Sequence, residues 1–435
     1  ISPTTMKLFK HQLRGVEWMK QRELKDNPDN SIHGGILADQ MGLGKTLQMV
    51  TLLAESPKRT LLVIPKMTLR DWERNLKNKG ISFSVFPERV SGDDQIQIYT
   101  MGYLSREKSC VFIETFERVV IDEGHFILNK YSRKTKNLME IKSDFWWVLS
   151  ATPVKLGSEF RNYFLLFGDA FYKNRSREDL DKIMLVRRLE DVPEIRHSFP
   201  DKTTRIVKVK GSSTTLENRV NRLGVRFLEA SIRKMQGTLN PSVPHKALNK
   251  KYDESVMFTP VDFGKLAKYK RIIEDFKKEP DRPTIVFCKF NYEIHELSEY
   301  FKDETGATIG ILDARTKDKV LPSVSYFDQD AIRDATKCLP LGIRNMISDY
   351  IRPPKILLCQ SAIATVGINL QYYNRVFFTM PMWTVWSQDQ AIARAHRYGQ
   401  KKHVDASIYC LEDSIDNYFL HRHTLMRRVW GPSPT

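Results

Sequence analysis

The chain has 435 residues, 41% of them hydrophobic and 28% charged, the balance of a folded globular protein, which excludes a disordered polymer, a collagen and a membrane-spanning bundle. Lysine and arginine number 69 against 52 aspartate and glutamate, a formal charge of +17. That surplus favours a polyanionic partner, nucleic acid ahead of an anionic membrane surface, and a soft prior of about 150 residues per domain predicts two or three domains.

The first residues, Ile1-Ser2-Pro3-Thr4-Thr5, lack the charged and then apolar pattern of a secretion signal, and a start at Ile reads as a trimmed chain. Candidate strands in the first half are Gly35 to Ala38, Leu61 to Ile64, Ile96 to Tyr99, Val119 to Ile121 and Trp147 to Ser150. They are continuous apolar runs, which suits strands covered on both faces of a parallel sheet. The second half repeats the theme at Thr284 to Cys288, Thr308 to Leu312, Ile356 to Cys359, Arg375 to Thr379 and Ala406 to Tyr409. The expected fold class is α/β, with two parallel sheets in series. The join is expected near Pro193 to Pro200, where prolines bracket a polar stretch, with a second loose stretch at Gly237 to Lys251. Between Lys182 and Lys250 there are 15 Lys/Arg and 6 Asp/Glu, so over half the charge surplus sits in about a sixth of the chain. Apolar residues such as Ile206, Val207 and Val209 interleave with it, as in a folded basic face. Cys110, Cys288, Cys338, Cys359 and Cys410 show no zinc spacing. Three of them end strand-like runs as core thiols, and a reducing intracellular compartment fits. Trp146, Trp147, Trp383 and Trp386 read first as core packing, and His421 and His423, two apart, do not share a helix face for metal binding.

The first candidate strand runs into Ala38-Asp39-Gln40-Met41-Gly42-Leu43-Gly44-Lys45-Thr46 and then a helical segment. Gly42 and Gly44 let the backbone curl its N–H groups toward phosphate oxygens, and the helix N-terminus adds its dipole. Lys45 would neutralise β/γ-phosphate charge and Thr46 would ligate Mg²⁺. Asp39 stands where such loops carry their first glycine. About 75 residues later, Val119-Val120-Ile121-Asp122-Glu123 ends a strand in two adjacent carboxylates. Such a pair delivers one group to the metal shell, here Asp122, and one to the attacking water, here the general base Glu123. Near the C-terminus, Arg394 and Arg397 lie three apart, expected on one helix face, where they could reach a γ-phosphate as arginine fingers.

With these residues in place, the sequence resembles the superfamily-two nucleic-acid motors, and within them the Swi/Snf-like DNA translocases. Phe9-Lys10-His11-Gln12 resembles the adenine-reading motif, with Gln12 as the reading amide. Gly34 to Gln48 resembles the family's phosphate loop, including Asp39. Leu62-Val63-Ile64-Pro65 through Trp72 resembles motif Ia, Tyr99-Thr100-Met101 the threonine-bearing motif, and Ser150-Ala151-Thr152-Pro153 motif III. Leu185-Val186-Arg187-Arg188 resembles the inter-lobe Arg-Arg segment that general helicases lack. Asp313 to Thr316 resembles a family turn, while 318–340 has no counterpart and reads as an insertion. Val366 to Leu370 keeps the end of motif V, with Ile363-Ala364 in place of its glycines, and Gln390 to Lys402 is very similar to motif VI.

The resemblance implies two RecA-like lobes in tandem, 1–198 with the phosphate loop and acidic pair, and 199–435 with the basic inter-lobe segment and the arginine fingers. It implies ATP and Mg²⁺ as cofactors, with Gln12, Gly367 and Gln390 joining the phosphate loop and Asp122 at the nucleotide. It places Pro65, Lys66, Thr68, Thr100, Arg187, Arg188, Thr316 and Asn369 at nucleic acid, Gly367 beside them. The implied activity is ATP-driven translocation along double-stranded DNA by a monomeric motor, with DNA-bound proteins or nucleosomes as further partners and no membrane. Backbone grip implies little sequence preference and strong salt dependence. Two rivals stand beside it. A strand-separating DNA or RNA helicase is disfavoured because only 22 residues lie between Gly367 and Gln390, too few for a strand crossing and a long separating hairpin. A non-hydrolysing nucleic-acid-binding scaffold is disfavoured by intact Lys45, Thr46, Asp122, Glu123, Arg394 and Arg397.

Overall fold

In the computed structural model, the apolar runs of the sequence become two parallel sheets. The described residues are 8–24, 34–87, 94–105, 115–124, 127, 129, 131–151, 153, 162–167, 177–210, 267–312, 353–361, 370–412 and 414–430. The chain divides into two compact units, the first ending at Ser198 and the second beginning at Phe199.

The strands of the first unit are β1 (Gly34–Leu37), β2 (Thr60–Ile64), β3 (Phe83–Val85), β4 (Ile96–Thr100), β5 (Thr115–Asp122), β6 (Lys142–Leu149) and β7 (Met184–Leu185). They form a sheet in the order β3-β4-β2-β5-β6-β1-β7, parallel throughout. The helices described in this unit are α1 (Lys10–Arg22), α2 (Lys45–Glu55), α3 (Leu69–Asn78), α4 (Met101–Leu104), α5 (Arg133–Met139), α6 (Phe164–Phe167), α7 (Arg177–Lys182) and α8 (Pro193–Arg196). Val16 and Met19 of α1, Met49, Val50, Leu52 and Leu53 of α2, and Trp72 and Leu76 of α3 pack on Leu37, Leu62, Ile64, Val120 and Leu149. Every residue of β1 and β2 is buried, which explains runs without alternation. Trp147 is fully buried in β6, its indole donating to Glu23 Oε1 at 2.9 Å. The same glutamate takes both arms of the buried Arg118, at 2.6 and 2.5 Å.

The second unit holds β8 (Lys202–Val209), β9 (Thr284–Cys288), β10 (Ile309–Leu312), β11 (Ile356–Gln360), β12 (Arg375–Phe378) and β13 (Val404–Leu411). Their order is β10-β11-β9-β12-β13-β8, again parallel. Its helices are α9 (Ala267–Lys277), α10 (Asn291–Thr305), α11 (Val385–Ala395) and α12 (Ile415–Trp430). Tyr269, Ile272 and Phe276 of α9, Leu297 and Phe301 of α10 and Phe419 of α12 cover Val286, Leu358, Phe377 and Tyr409 of the sheet. Cys288, Cys359 and Cys410 are buried thiols at or next to strand ends, whereas Cys110 and Cys338 lie outside the described residues. Trp386 is buried, and Trp383 packs edge-on against Phe419 at 5.2 Å between ring centres.

The basic block departs from the expected run pattern. Part of it is β8, paired with β13 over its full length, with only Val209 buried. The stretch 237–251 and the insertion 318–340 lie outside the described residues. No helix among the described residues is long and apolar enough to cross a membrane.

Candidate active site

A parallel sheet delivers all its strand C-termini to one edge, and in the first unit that edge collects most of the candidate residues. Register pairs Leu37 with Leu149 and Leu185, Asp122 with Leu149, and Ile64 with Thr100. Thus Thr100 ends β4, Pro65 to Thr68 follow β2, Asp122 ends β5 with Glu123 next to it, the phosphate loop follows β1, and Arg187 and Arg188 follow β7.

The loop enters α2 through Gly44, whose backbone is left-handed with φ 80°. A side chain there would be strained, and its Cβ would collide with Gln12 Nε2. Gln12 closes α1 locally, its Oε1 accepting from Phe9 N at 3.0 Å, and donates from Nε2 to Leu43 O at 3.2 Å. Its amide therefore stands against the loop, with one further donor and one further acceptor position. Lys45 curls back to donate from Nζ to Asp39 O at 2.7 Å. Thr46 follows it in the first turn of α2.

Asp122 receives the Trp72 indole N–H on Oδ2 at 2.9 Å and the Glu123 backbone N–H on Oδ1 at 3.0 Å. Burial, and then the neighbouring Glu123 carboxylate, push the Asp122 carboxyl up to about 6, against the Trp72 hydrogen bond and the Lys45 charge that pull it down. Glu123 has φ 51°, a left-handed backbone at a residue other than glycine. Such conformations cost on the order of 1 to 3 kcal/mol and persist where the surroundings over-determine them, typically at functional sites. Tyr163, fully buried, has its phenol pushed up by burial and by the Glu123 charge.

Of the residues assigned to nucleic acid, Lys66 is exposed, while Thr68 is buried and donates its hydroxyl to Pro65 O at 3.0 Å, closing the turn after β2. Thr100 begins α4. Arg188 is half-buried, with its backbone N–H on Asp191 Oδ2 at 2.7 Å. Arg187 is placed differently from the expectation. Its guanidinium is spent on Asp39, at 2.8 Å from Nε to Oδ1 and 2.5 Å from Nη2 to Oδ2.

In the second unit, Gln390 and Arg394 are buried in α11, which Thr384 caps by accepting from Ser387 N at 3.1 Å. The expectation that Arg394 and Arg397 share a helix face is corrected here. The helix ends at Ala395, and His396 leaves it with ψ 82°. The Gln400 amide fixes this ending by donating to Gln371 O at 2.7 Å, Tyr373 O at 3.2 Å and Ala395 O at 3.3 Å. His396 adds a 2.7 Å bond from Nε2 to Pro200 O. Arg397 therefore sits in the turn beyond the helix, half-buried. Thr152, Thr316, Gly367 and Asn369 lie outside the described residues. His423 is buried on Met382 O at 2.8 Å, and no cluster of metal-ligating side chains is found among the described residues.

Sequence reasoning missed Trp72 as the partner of Asp122 and Gln48 as a partner of Asp39. A signal existed for Gln48, the one amide in the buried run Gln48 to Leu53 of α2.

Residues 11–168 match the SNF2-related domain family. A probable global transactivator of Orgyia pseudotsugata multicapsid polyhedrosis virus is 23% identical over 95% of this chain and 89% of its own length. An ISWI chromatin-remodeling complex ATPase of Saccharomyces cerevisiae is 24% identical over 96% of this chain but 40% of its own length. The structure of the Sulfolobus solfataricus SWI2/SNF2 ATPase core in complex with dsDNA is 22% identical, with a TM-score of 0.40 over 99% of this chain and 94% of that one. The chain spans about two fifths of the yeast relative it matches. The matched residues 11–168 contain the phosphate loop and the acidic pair already described, and this part of the chain is similar to SNF2-related domains.

Proposed function

We propose that this chain is an ATP-driven motor that translocates along double-stranded DNA and displaces or remodels proteins bound there. The observation that carries the reading is the single sheet edge of the first unit, where Lys45, Thr46, Asp122 and Glu123 follow β1 and end β5. The resemblance to a remodelling ATPase points the same way. Residues 1–198 are assigned as the ATP-binding lobe and 199–435 as the lobe that contributes Arg394 and Arg397. The motor acts as a monomer wherever its DNA lies.

The chemistry follows from the residues. Lys45 exchanges its hold on Asp39 O for phosphate oxygen, and the first turn of α2 adds backbone N–H groups. Asp122 and Thr46 fit a hard divalent cation, since both offer oxygen donors and a cation there would offset the burial and the Glu123 charge that push the Asp122 carboxyl up. Mg²⁺ held there supplies charge neutralisation to the β/γ-phosphates. Glu123 orients the attacking water and accepts its proton, and Arg394 and Arg397 stabilise the charge that develops on the γ-phosphate. Lys66, Thr100, Gly367 and Asn369 hold DNA phosphates, with Pro65 and Thr68 closing the turn that carries Lys66, so affinity depends on salt more than on sequence.

ATPase measured with duplex DNA, single-stranded DNA and RNA, alongside triplex displacement and strand-separation assays, tests this reading. Duplex should stimulate most and triplex should be displaced without strand separation. Stronger stimulation by single strands or RNA, with strand separation, would replace it by a helicase.

A further inference from the structure

The aspartate at the head of the phosphate loop is held by a residue 148 positions away in the sequence. The Asp39 carboxylate is fully buried. Oδ1 accepts from Arg187 Nε at 2.8 Å, and Oδ2 accepts from Arg187 Nη2 at 2.5 Å and from Gln48 Nε2 at 2.9 Å. Arg187 Nη2 also reaches Gln48 Oε1 at 2.8 Å, and its Nη1 donates to His11 O. The backbone runs in the same register. Ala38 N donates to Leu185 O and Gln40 N to Arg187 O, both at 2.8 Å, and Leu189 N donates to Gln40 Oε1 at 2.5 Å. Farther along, Glu194 Oε1 accepts from His11 N at 3.1 Å, while His11 Nε2 meets Leu43 O at 3.0 Å. The stretch from Leu185 to Glu194 thus grips the loop at Asp39 and Gln40 directly and at Leu43 through His11. Space for this is reserved in α1, where a Cβ at Gly15 would collide with Gln48 Oε1 and Arg187 Nη2.

We infer that Arg187 is a positioning residue of the phosphate loop, acting through Asp39 and Gln48, and not a nucleic-acid contact. The inference rests on the reading of this loop as the ATP site. A planar fork is required, because one side chain must serve both carboxylate oxygens, Gln48 and a main-chain carbonyl at once. The aspartate becomes intelligible with it. Neutralised by Arg187, Asp39 fixes the start of the loop; unpaired, it would place a buried negative charge beside a triphosphate. The segment that leads the chain out of the first unit is thereby tied to the geometry of its nucleotide loop.

The test is steady-state ATPase and ATP-binding measurement on the full chain carrying Arg187→Ala, Arg187→Lys, Gly15→Ala, and Arg187→Ala combined with Asp39→Asn. Arg187→Ala should raise the KM for ATP roughly tenfold or more and change kcat at saturating ATP by less than about twofold. Arg187→Lys should fall between, since an ammonium cannot serve two oxygens and an amide in one plane. Adding Asp39→Asn should recover part of the lost affinity by removing the unpaired charge. Gly15→Ala should shift KM in the same direction by displacing the fork without altering any charge, and it serves if the Arg187 variants fail to fold. Duplex affinity and its salt slope should not move. An unchanged KM in both Arg187→Ala and Gly15→Ala, or a salt slope lowered by about one with KM intact, overturns the inference. Wild-type protein that binds no ATP overturns the parent reading instead.

Discussion

The two units place buried charge at the same edge of similar sheets and finish it differently. In the first, Asp39 closes on Arg187 and Gln48, while Asp122, held by Trp72 and the backbone of Glu123, is still pushed up beside the Glu123 carboxylate. In the second, Lys268 pairs with Asp416 and donates to Thr379 O at 3.2 Å, and Glu293 accepts from Lys289 N and Phe290 N at 2.8 and 3.2 Å. There acid outnumbers donors. Among the described residues, Glu293 Oε1, Glu296 Oε2 and Asp416 Oδ1 are buried without a hydrogen-bond partner. Burial raises the Glu293 carboxyl, and burial with the Glu293 charge lifts Glu296 to about 7. Burial lowers Lys289, set 4.8 Å from the Trp383 ring centre, to about 8. The closed Asp39 network holds its loop in one geometry, whereas the acid cluster of the second unit, like the Asp122–Glu123 pair of the first, changes charge with its surroundings.

If the first unit holds the general base, its largest single loss should be chemical. Glu123→Gln should cut ATP turnover by at least about a hundredfold while ATP binding stays within about threefold of wild type. Wild-type hydrolysis by this variant would move the base elsewhere. A smaller effect separates the two arginines of the second unit. Arg394→Ala and Arg397→Ala should each lower turnover by roughly a hundredfold or more with nucleotide binding retained. Only Arg394→Ala should also lower the melting temperature by several degrees, since Arg394 is buried in α11 and Arg397 stands in the turn beyond it. Equal melting temperatures would show that burial at Arg394 carries no structural load.

How much of this was readable beforehand follows from what each element buries. Runs such as Leu61 to Ile64 and Thr284 to Cys288 identified their strands because both faces of those strands are covered. The apolar-run criterion passed over β8, an edge strand whose Lys202 to Arg205 are exposed and whose Ile206 is 52% exposed, and β3 and β7, three and two residues long. At the site, the placement of Lys45, Asp122 and Glu123 at one sheet edge was legible because local spacing and strand ends dictate it. Asp39 was visible as a departure from a glycine, but its partner lies across β1 and β7, a pairing that no local pattern encodes. The end of α11 was hidden for a similar reason: the Gln400 side chain, five residues on, sets it through Ala395 O.

The smallest predicted effect is a pH dependence with two opposed slopes, both in the second unit. Burial depresses His423 to about 4. A histidine whose folded value lies below its unfolded value near 6.5 leaves stability intact above 6.5 and removes it as pH falls toward 4, so its contribution rises with pH. Glu296, raised to about 7, acts the other way. Its contribution is present below the unfolded value near 4.5 and is lost as pH rises toward 7, and Glu293 shares that sign. Between pH 5 and 6.5 the His423 and Glu296 slopes oppose each other, with Glu293 and Asp122 on the side of Glu296. His423→Gln keeps a donor for Met382 O and should leave stability falling as pH rises. Glu296→Gln should leave it rising, or falling less steeply where Glu293 dominates. Each slope is bounded by about 1.4 kcal/mol per pH unit for one proton. Denaturant midpoints of the full chain at pH 5, 5.5, 6 and 6.5 read the difference. Two variants with the same slope as wild type would show that the unfinished acid cluster and the buried imidazole do not titrate in this range, and the contrast between the two sheet edges would then be one of geometry alone.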